Sequence, residues 1–510
     1  MQTSHTLVAA FIAVSMLSPA HAADAHGACA ALTKFSMPGH RVVVRAAKEL
    51  PASAPGTSPA VPAHCRVDGV IDERTGQDGK HYGIGFAVAL PTQWNGRFLF
   101  QGGGGLNGSV QPPLGGAYAG DGSALARGFA VASTDSGHQG AVFDGSFFQD
   151  QQAALNFLYQ AVGEVTVVAK DLVARRYGKS PQHSYFVGCS TGGREAMLMS
   201  QRYPNYFDGI VAAAPAARTS FSNLGLRYAT AALNAIAPLD AQGNPQTRAA
   251  FSDADRKLII DGVLEACDGL DGSKDGFIFA PQKCDFDPGA LSCRGEKQQG
   301  CLSAGQVQAI RAVMQGPRTA SGRQVYPGYF YDTGIANIQG LPGILAGPVI
   351  PEGRPVGTRF DVDAAAFEAM DARAMVGDSS AWTNLGTFRG HGGKLIFVHG
   401  ASDPWFSARE SVRYYEQLRS DNADATLTDW SRLFLVPGMG HCAGGARTLD
   451  RFDMLGAIVD WVEGGHAPER VIASGSSAPG ESRPLCPYPT HAHYDGSGNA
   501  HDAASYSCTE

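Results

Sequence analysis

Short apolar runs recur along this chain at 84–90, 97–101, 129–134, 184–187, 394–398 and 433–436. Runs of this length without polar alternation predict strands buried on both faces. Between the third and fourth, residues 152–177 carry Leu155, Leu158, Val162, Val165 and Leu172 at helical spacing, which predicts one long helix with a single apolar face. Strands alternating with helices imply an α/β fold built on a mostly parallel, doubly covered sheet. The pattern changes near residue 217 and resumes at Lys394. Capping signals in that interval, Ser252-x-x-Asp255 and Ser303-x-x-Gln306, predict two helices, the second ending at Gly316-Pro317. The expected organisation is therefore a main body of residues 23–216 and 384–510, interrupted by an inserted domain at 217–383. Residues 23–64, rich in Ala, Pro and Ser, are expected to form an extended N-terminal segment.

The run at 184–187 leads into Gly188-Cys189-Ser190-Thr191-Gly192, and Arg194 to Gln201 then holds strong helix formers without a breaker. Strand, glycine-flanked turn and helix in that order form the nucleophile elbow of an α/β-hydrolase, where glycines permit a strained turn that lifts the Ser. A seryl hydroxyl needs a base. The run at 433–436 leads into Pro437-Gly438-Met439-Gly440-His441-Cys442, and the run at 394–398 into His399-Gly400-Ala401-Ser402-Asp403. Ser190, Asp403 and His441 thus follow the chain order of such enzymes. His399 is a competing base that sits nearer its strand. Ser190 and His441 each have a Cys beside them, and if Cys189 and Cys442 are bonded the Cα atoms of these two Cys lie roughly 5.5–6 Å apart, which brings Ser190 and His441 close. The strand at 97–101 runs into Gly102-Gly103-Gly104-Gly105, which resembles the loop that supplies a backbone N–H to an oxyanion. Thr191, after the nucleophile, would supply the second. No phosphate-binding glycine pattern ending in Lys-Ser/Thr follows.

Composition narrows the class further. With 510 residues and 44% apolar content the chain can bury a large core. A net charge of −7 leaves no basic footprint for nucleic acid. Residues 1–22 fit a signal peptide, with an apolar stretch from Leu7 to Leu17 and Ala20-His21-Ala22 as a cleavage site. No stretch is long enough to cross a membrane, so a secreted or periplasmic protein is expected. Ten Cys form an even set, as in exported proteins. Their spacing does not fix the pairing, and the lack of any Cys-x-x-Cys argues against zinc.

The segments Gly188 to Glu195, Asp403 and Pro437 to Cys442 resemble the tannase and feruloyl esterase family, which includes the mono(2-hydroxyethyl) terephthalate hydrolase. The likeness continues through Ser200 to Pro204, Arg451 to Leu455 and Pro484 to Pro489. It implies a serine esterase with Ser190 as nucleophile, His441 as base, Asp403 as orienter, and Gly105 and Thr191 as oxyanion donors. It also implies the bonds Cys29–Cys65, Cys189–Cys442, Cys267–Cys284, Cys293–Cys301 and Cys486–Cys508, and small aromatic esters as substrates. The insertion at 217–383 lies between the elbow and the acid, the usual place for a lid over the site. Trp405 and Phe406, just after the acid, are candidates to flank an aromatic acyl group. The run Cys267 to Phe277 places three carboxylates on a glycine-rich turn but is not an EF-hand, because Phe279 holds the twelfth position. The family resemblance implies a structural Ca²⁺ there, held by the side chains of Asp268, Asp271 and Asp275 and the carbonyls of Ser273 and Phe277. A general carboxylesterase or polyester hydrolase on the same scaffold, and a non-catalytic binding protein, are the alternatives.

Overall fold

A computed structural model describes residues 29–510 except 55, 57–59, 352, 354 and 423. The expected signal peptide lies outside the described residues. Nine strands form one sheet: β1 (Val42–Leu50), β2 (His64–Thr75), β3 (His81–Pro91), β4 (Arg97–Gln101), β5 (Ala130–Thr134), β6 (His183–Cys189), β7 (Gly209–Ala213), β8 (Lys394–Gly400) and β9 (Ser431–Val436). Their spatial order is β1-β2-β3-β5-β4-β6-β7-β8-β9. From β5 to β9 all neighbours are parallel, and β1, β2 and β3 form an antiparallel flank.

The two-residue period of the strands divides the core. Phe98, Phe100, Phe186, Leu395 and Phe397 face one side, where Val165, Leu172, Met197 and Leu418 pack on them. These belong to helices Ala161–Tyr177, Thr191–Arg202 and Ala408–Asp421. Leu99, Tyr185, Val187, Ile396 and Val398 face the other side, against Leu455, Ile458 and Trp461 of helix Met454–Gly464. Both faces are apolar, so the strands read as unbroken apolar runs.

Two expectations change. The N-terminal segment is not simply extended, because β1 pairs antiparallel with β2 from Val42↔Ile71 to Leu50↔His64. The single helix over 152–177 is interrupted by a π turn at Asn156–Gln160. That turn resets the helical phase. Leu158 consequently packs with Tyr82, Phe147 and Phe157, while Val162 and Val165 face the sheet.

The insertion leaves the sheet after β7 and returns at β8. Helices Asp253–Cys267 and Ala304–Gln315 start at Ser252 and Ser303 with complete capping boxes, as their sequence signals require. A third helix, Thr219–Asn234, joins them around an apolar cluster that includes Leu226, Ile259, Val263, Ile310 and Ile344. Five disulfides connect the ten Cys in the pairing implied by the family resemblance. Among the described residues, no helix is long and apolar enough to cross a membrane.

Candidate active site

Strand β6 ends at Cys189, and the next residue carries the strain. Ser190 has φ +64° and ψ −122°, a region that costs a non-glycine residue about 1–3 kcal/mol. Surrounding bonds hold it there. Its N–H donates to the Ala213 carbonyl at 3.1 Å, and its carbonyl accepts the N–H groups of Arg194 and Ala216, both at 3.0 Å. The flanking glycines are required by close approach: a Cβ on Gly188 would lie 2.4 Å from the Gly192 oxygen, and one on Gly192 would lie 2.7 Å from the Gly103 oxygen.

The glycine-rich loop after β4 is docked on this elbow. Gly102 N–H donates to Val187 O and Gly192 N–H to Gly103 O, both at 2.9 Å. The Thr191 hydroxyl donates to the Gly105 carbonyl. The N–H groups of Gly105 and Thr191 take no intramolecular partner among the described residues, so both are free to donate to a ligand. Glu195, which sequence reasoning did not single out, supports the loop from beneath: its buried carboxylate accepts the Gly103 N–H at 2.8 Å.

Strands β8 and β9 deliver the other two groups. His441 Nδ1 lies 2.7 Å from Asp403 Oδ2. A carboxylate only accepts, so the proton resides on Nδ1 and Nε2 keeps its lone pair. Asp403 Oδ1 accepts the backbone N–H groups of Trp405 at 2.8 Å and Phe406 at 3.1 Å. Burial alone would raise the Asp403 carboxyl, but the neighbouring His441 and His399 hold it well below the usual range. Both nitrogens of His399 are engaged, Nδ1 2.7 Å from Ser411 Oγ and Nε2 2.9 Å from the Phe406 carbonyl and 3.4 Å from Asp403 Oδ2. His399 therefore has no free nitrogen to act as a base. The turn that satisfies Asp403 also sets the two aromatic rings beside His441, Trp405 at 4.9 Å and Phe406 at 5.2 Å between centroids.

The bond between Cys189 and Cys442 joins the two loops covalently, with Cα atoms 5.9 Å apart. Tyr118, also missed in the sequence, donates its hydroxyl to the Cys442 carbonyl at 2.8 Å and stacks on Phe452. Replacing both Cys189 and Cys442 by Ala is expected to lower kcat about 10- to 100-fold with a smaller change in KM, since small displacements of reacting groups are costly. Steady-state kinetics on the folded double variant checks this, and an unchanged kcat would dissociate the bond from the site geometry.

The acidic loop packs against the C-terminal region, Gly272 beside Tyr494 and Asp275 beside Arg483. Asp268 Oδ1 accepts the N–H of Gly276 at 3.0 Å, and Asp271 Oδ2 that of Phe279 at 2.9 Å. Asp271 Oδ1 accepts the Ser273 N–H, and Asp275 Oδ1 the Phe277 N–H, both at 3.1 Å. Burial, then the charge of the neighbouring carboxylates, pushes Asp271 up to about 7, and Asp268 is also raised, chiefly by burial. Neither forms an ion pair among the described residues, whereas Asp275 meets Arg483 at 2.6 Å. This donor set fits a hard cation in charge and burial. Its oxygens are not tightly gathered, because no choice of one from each Asp brings all three within 4.8 Å of one another.

The family model for "Tannase and feruloyl esterase" matches residues 65–347 and 357–509. Mono(2-hydroxyethyl) terephthalate hydrolase from Piscinibacter sakaiensis is 39% identical, over 90% of this chain and 86% of its own. A probable feruloyl esterase B-2 from Aspergillus terreus is 31% identical, over 90% and 88%. The crystal structure of feruloyl esterase B from Aspergillus oryzae superposes with a TM-score of 0.77 at 27% identity, covering 95% of this chain and all of that one.

Proposed function

The chain belongs to the tannase and feruloyl esterase family of carboxylic ester hydrolases, and from that premise we propose that it is an exported serine esterase acting on small esters of aromatic acids. The observation that carries the reading is the Asp403–His441 hydrogen bond joined by a disulfide to the strained Ser190. His441 Nε2 takes the Ser190 proton as Oγ attacks the ester carbonyl. The N–H groups of Gly105 and Thr191 stabilise the oxyanion. His441 then protonates the departing alcohol, and water, activated by the same nitrogen, releases the acid. Residues 217–383 act as a lid. Five disulfides suit an oxidising compartment, which supports export.

Aromatic preference rests on Trp405 and Phe406, whose half-buried rings sit beside His441. A stacked aromatic contact contributes about 0.5–1.5 kcal/mol beyond its buried area. Phe406→Ala is thus expected to lower kcat/KM about 10-fold on a phenolic methyl ester and little on a butyrate ester of similar size. Wild-type preference for butyrate, unchanged in the variant, would instead place the protein among general carboxylesterases. Terephthalate monoesters are further candidate substrates.

The acidic loop would hold a structural Ca²⁺ through Asp268, Asp271 and Asp275, with the Ser273 and Phe277 carbonyls completing the set. Asp271 has its folded pKa raised, so without a cation its contribution to stability is present below the ordinary carboxylate value and is lost as pH rises toward 7. At one fixed calcium concentration Tm should therefore rise more at pH 8 than at pH 5.5, the stabilisation reaching roughly 2.7 kcal/mol where that concentration is a hundredfold over Kd. Asp271→Asn should remove that response in thermal melts with calcium or chelator. Equal calcium responses at the two pH values would count against the site.

A further inference from the structure

Asp332 belongs to the insertion, is fully buried, and takes no part in the chemistry above. One of its oxygens, Oδ2, accepts two hydrogen bonds, one from each of two loops. The Ser402 hydroxyl donates at 2.6 Å and the Gly438 N–H at 2.7 Å. Ser402 precedes Asp403 in the β8 loop, and Gly438 lies three residues before His441 in the β9 loop. The Ser402 oxygen also accepts the Gly334 N–H at 2.9 Å, and Ser402 N–H donates to Met439 O at 3.0 Å. The neighbouring contacts run the same way: Tyr329 donates its hydroxyl to Pro404 O at 3.3 Å, and Ser407 N–H donates to the Tyr326 hydroxyl at 2.9 Å.

We propose that Asp332 is a positioning residue, a clamp through which the insertion sets the Asp403 loop and the His441 loop at their working separation. The inference rests on the triad reading given above. A carboxyl oxygen has two lone pairs and can accept two short hydrogen bonds at once. A buried carboxylate without a cation is otherwise costly. Asp332 has no ion pair among the described residues, and its Oδ1 has no hydrogen-bond partner. Burial pushes its carboxyl above the ordinary range in spite of the bonds from Ser402 and Gly438. A group needed only to fill space would be apolar here. What the carboxylate supplies is one acceptor shared by the two loops. On this view the insertion fixes the catalytic geometry as well as covering the site.

The test is the kcat and KM of Asp332→Ala, Asp332→Asn and Ser402→Ala on one ester, beside thermal melts. Asp332→Ala is expected to lose at least 10-fold in kcat with KM within threefold of wild type. Asp332→Asn keeps one acceptor oxygen and should remain within threefold of the wild-type kcat. The proposal is overturned by a folded Asp332→Ala with wild-type kcat, by a KM that rises in step with the loss, or by an Asn variant no better than Ala. Should Asp332→Ala fail to fold, Ser402→Ala removes one arm of the clamp. A three- to tenfold lower kcat then upholds the clamp and an unchanged kcat overturns it. An enzyme that depends on Ser190 but ignores these changes overturns the clamp alone, whereas one that ignores Ser190 overturns the triad.

Discussion

Ser190→Ala should leave turnover roughly 10⁴-fold or more below wild type, with the melting temperature nearly unchanged. The size follows from the role: without Oγ no acyl-enzyme forms, and what remains is the contribution of binding and the oxyanion donors. The fold should tolerate the change because the elbow is held by backbone bonds to Ala213, Arg194 and Ala216, and Ala keeps every one of them. Initial rates on a chromogenic ester, measured with enzyme freed of wild-type carry-over, decide the matter. More than a tenth of wild-type activity would exclude Ser190 as nucleophile and revive the reading of a different active group or of a binding protein.

Asp403→Asn should cost about 10⁴-fold in kcat while KM changes little. The hydrogen-bond geometry explains why so small a change is so damaging. Oδ1 already accepts two backbone N–H groups, and Oδ2 accepts from His441. An amide offers only one acceptor oxygen. If it faces the backbone, its NH₂ points at His441 Nδ1 and forces the imidazole proton onto Nε2, which removes the base. If it faces His441, the NH₂ collides with the donors of Trp405 and Phe406. Because the wild-type carboxyl is held far below the usual range, Asp403 stays ionised throughout the neutral and mildly acid region. Titration of Asp403 should accordingly not appear in the acid limb of the pH–rate profile near an ordinary carboxylate value. A variant retaining a tenth of the wild-type rate would remove Asp403 from this role.

How much of this was legible depended on where each residue obtains its partners. The central strands β6, β8 and β9 were visible because both faces are buried. Strand β1 was not, since its residues alternate between half-buried and exposed and its sequence looks like surface. Helices Asp253–Cys267 and Ala304–Gln315 announced themselves through Ser caps. Helix Thr219–Asn234 begins at Arg218 without a side-chain cap, so no local signal marked its start. The same division runs through the site. Ser190, Asp403 and His441 sit at strand ends within recognisable turns. Glu195 acts on Gly103, 92 residues away, and Tyr118 on Cys442, 324 residues away. Contacts of that range leave no trace in local pattern, and Asp332 was invisible for the same reason.

The bond from Cys189 to Cys442 makes a covalent ring that contains the whole insertion, because it spans 253 positions of sequence. A protease that nicks the exposed surface of that insertion opens the ring without dividing the molecule. The fragments then migrate together until a thiol reductant is added. The loops that carry Ser190 and His441 stay tethered through such damage by a link that does not pass through the cut. On the reading of an exported esterase proposed above, that topology would keep a clipped chain assembled around its site.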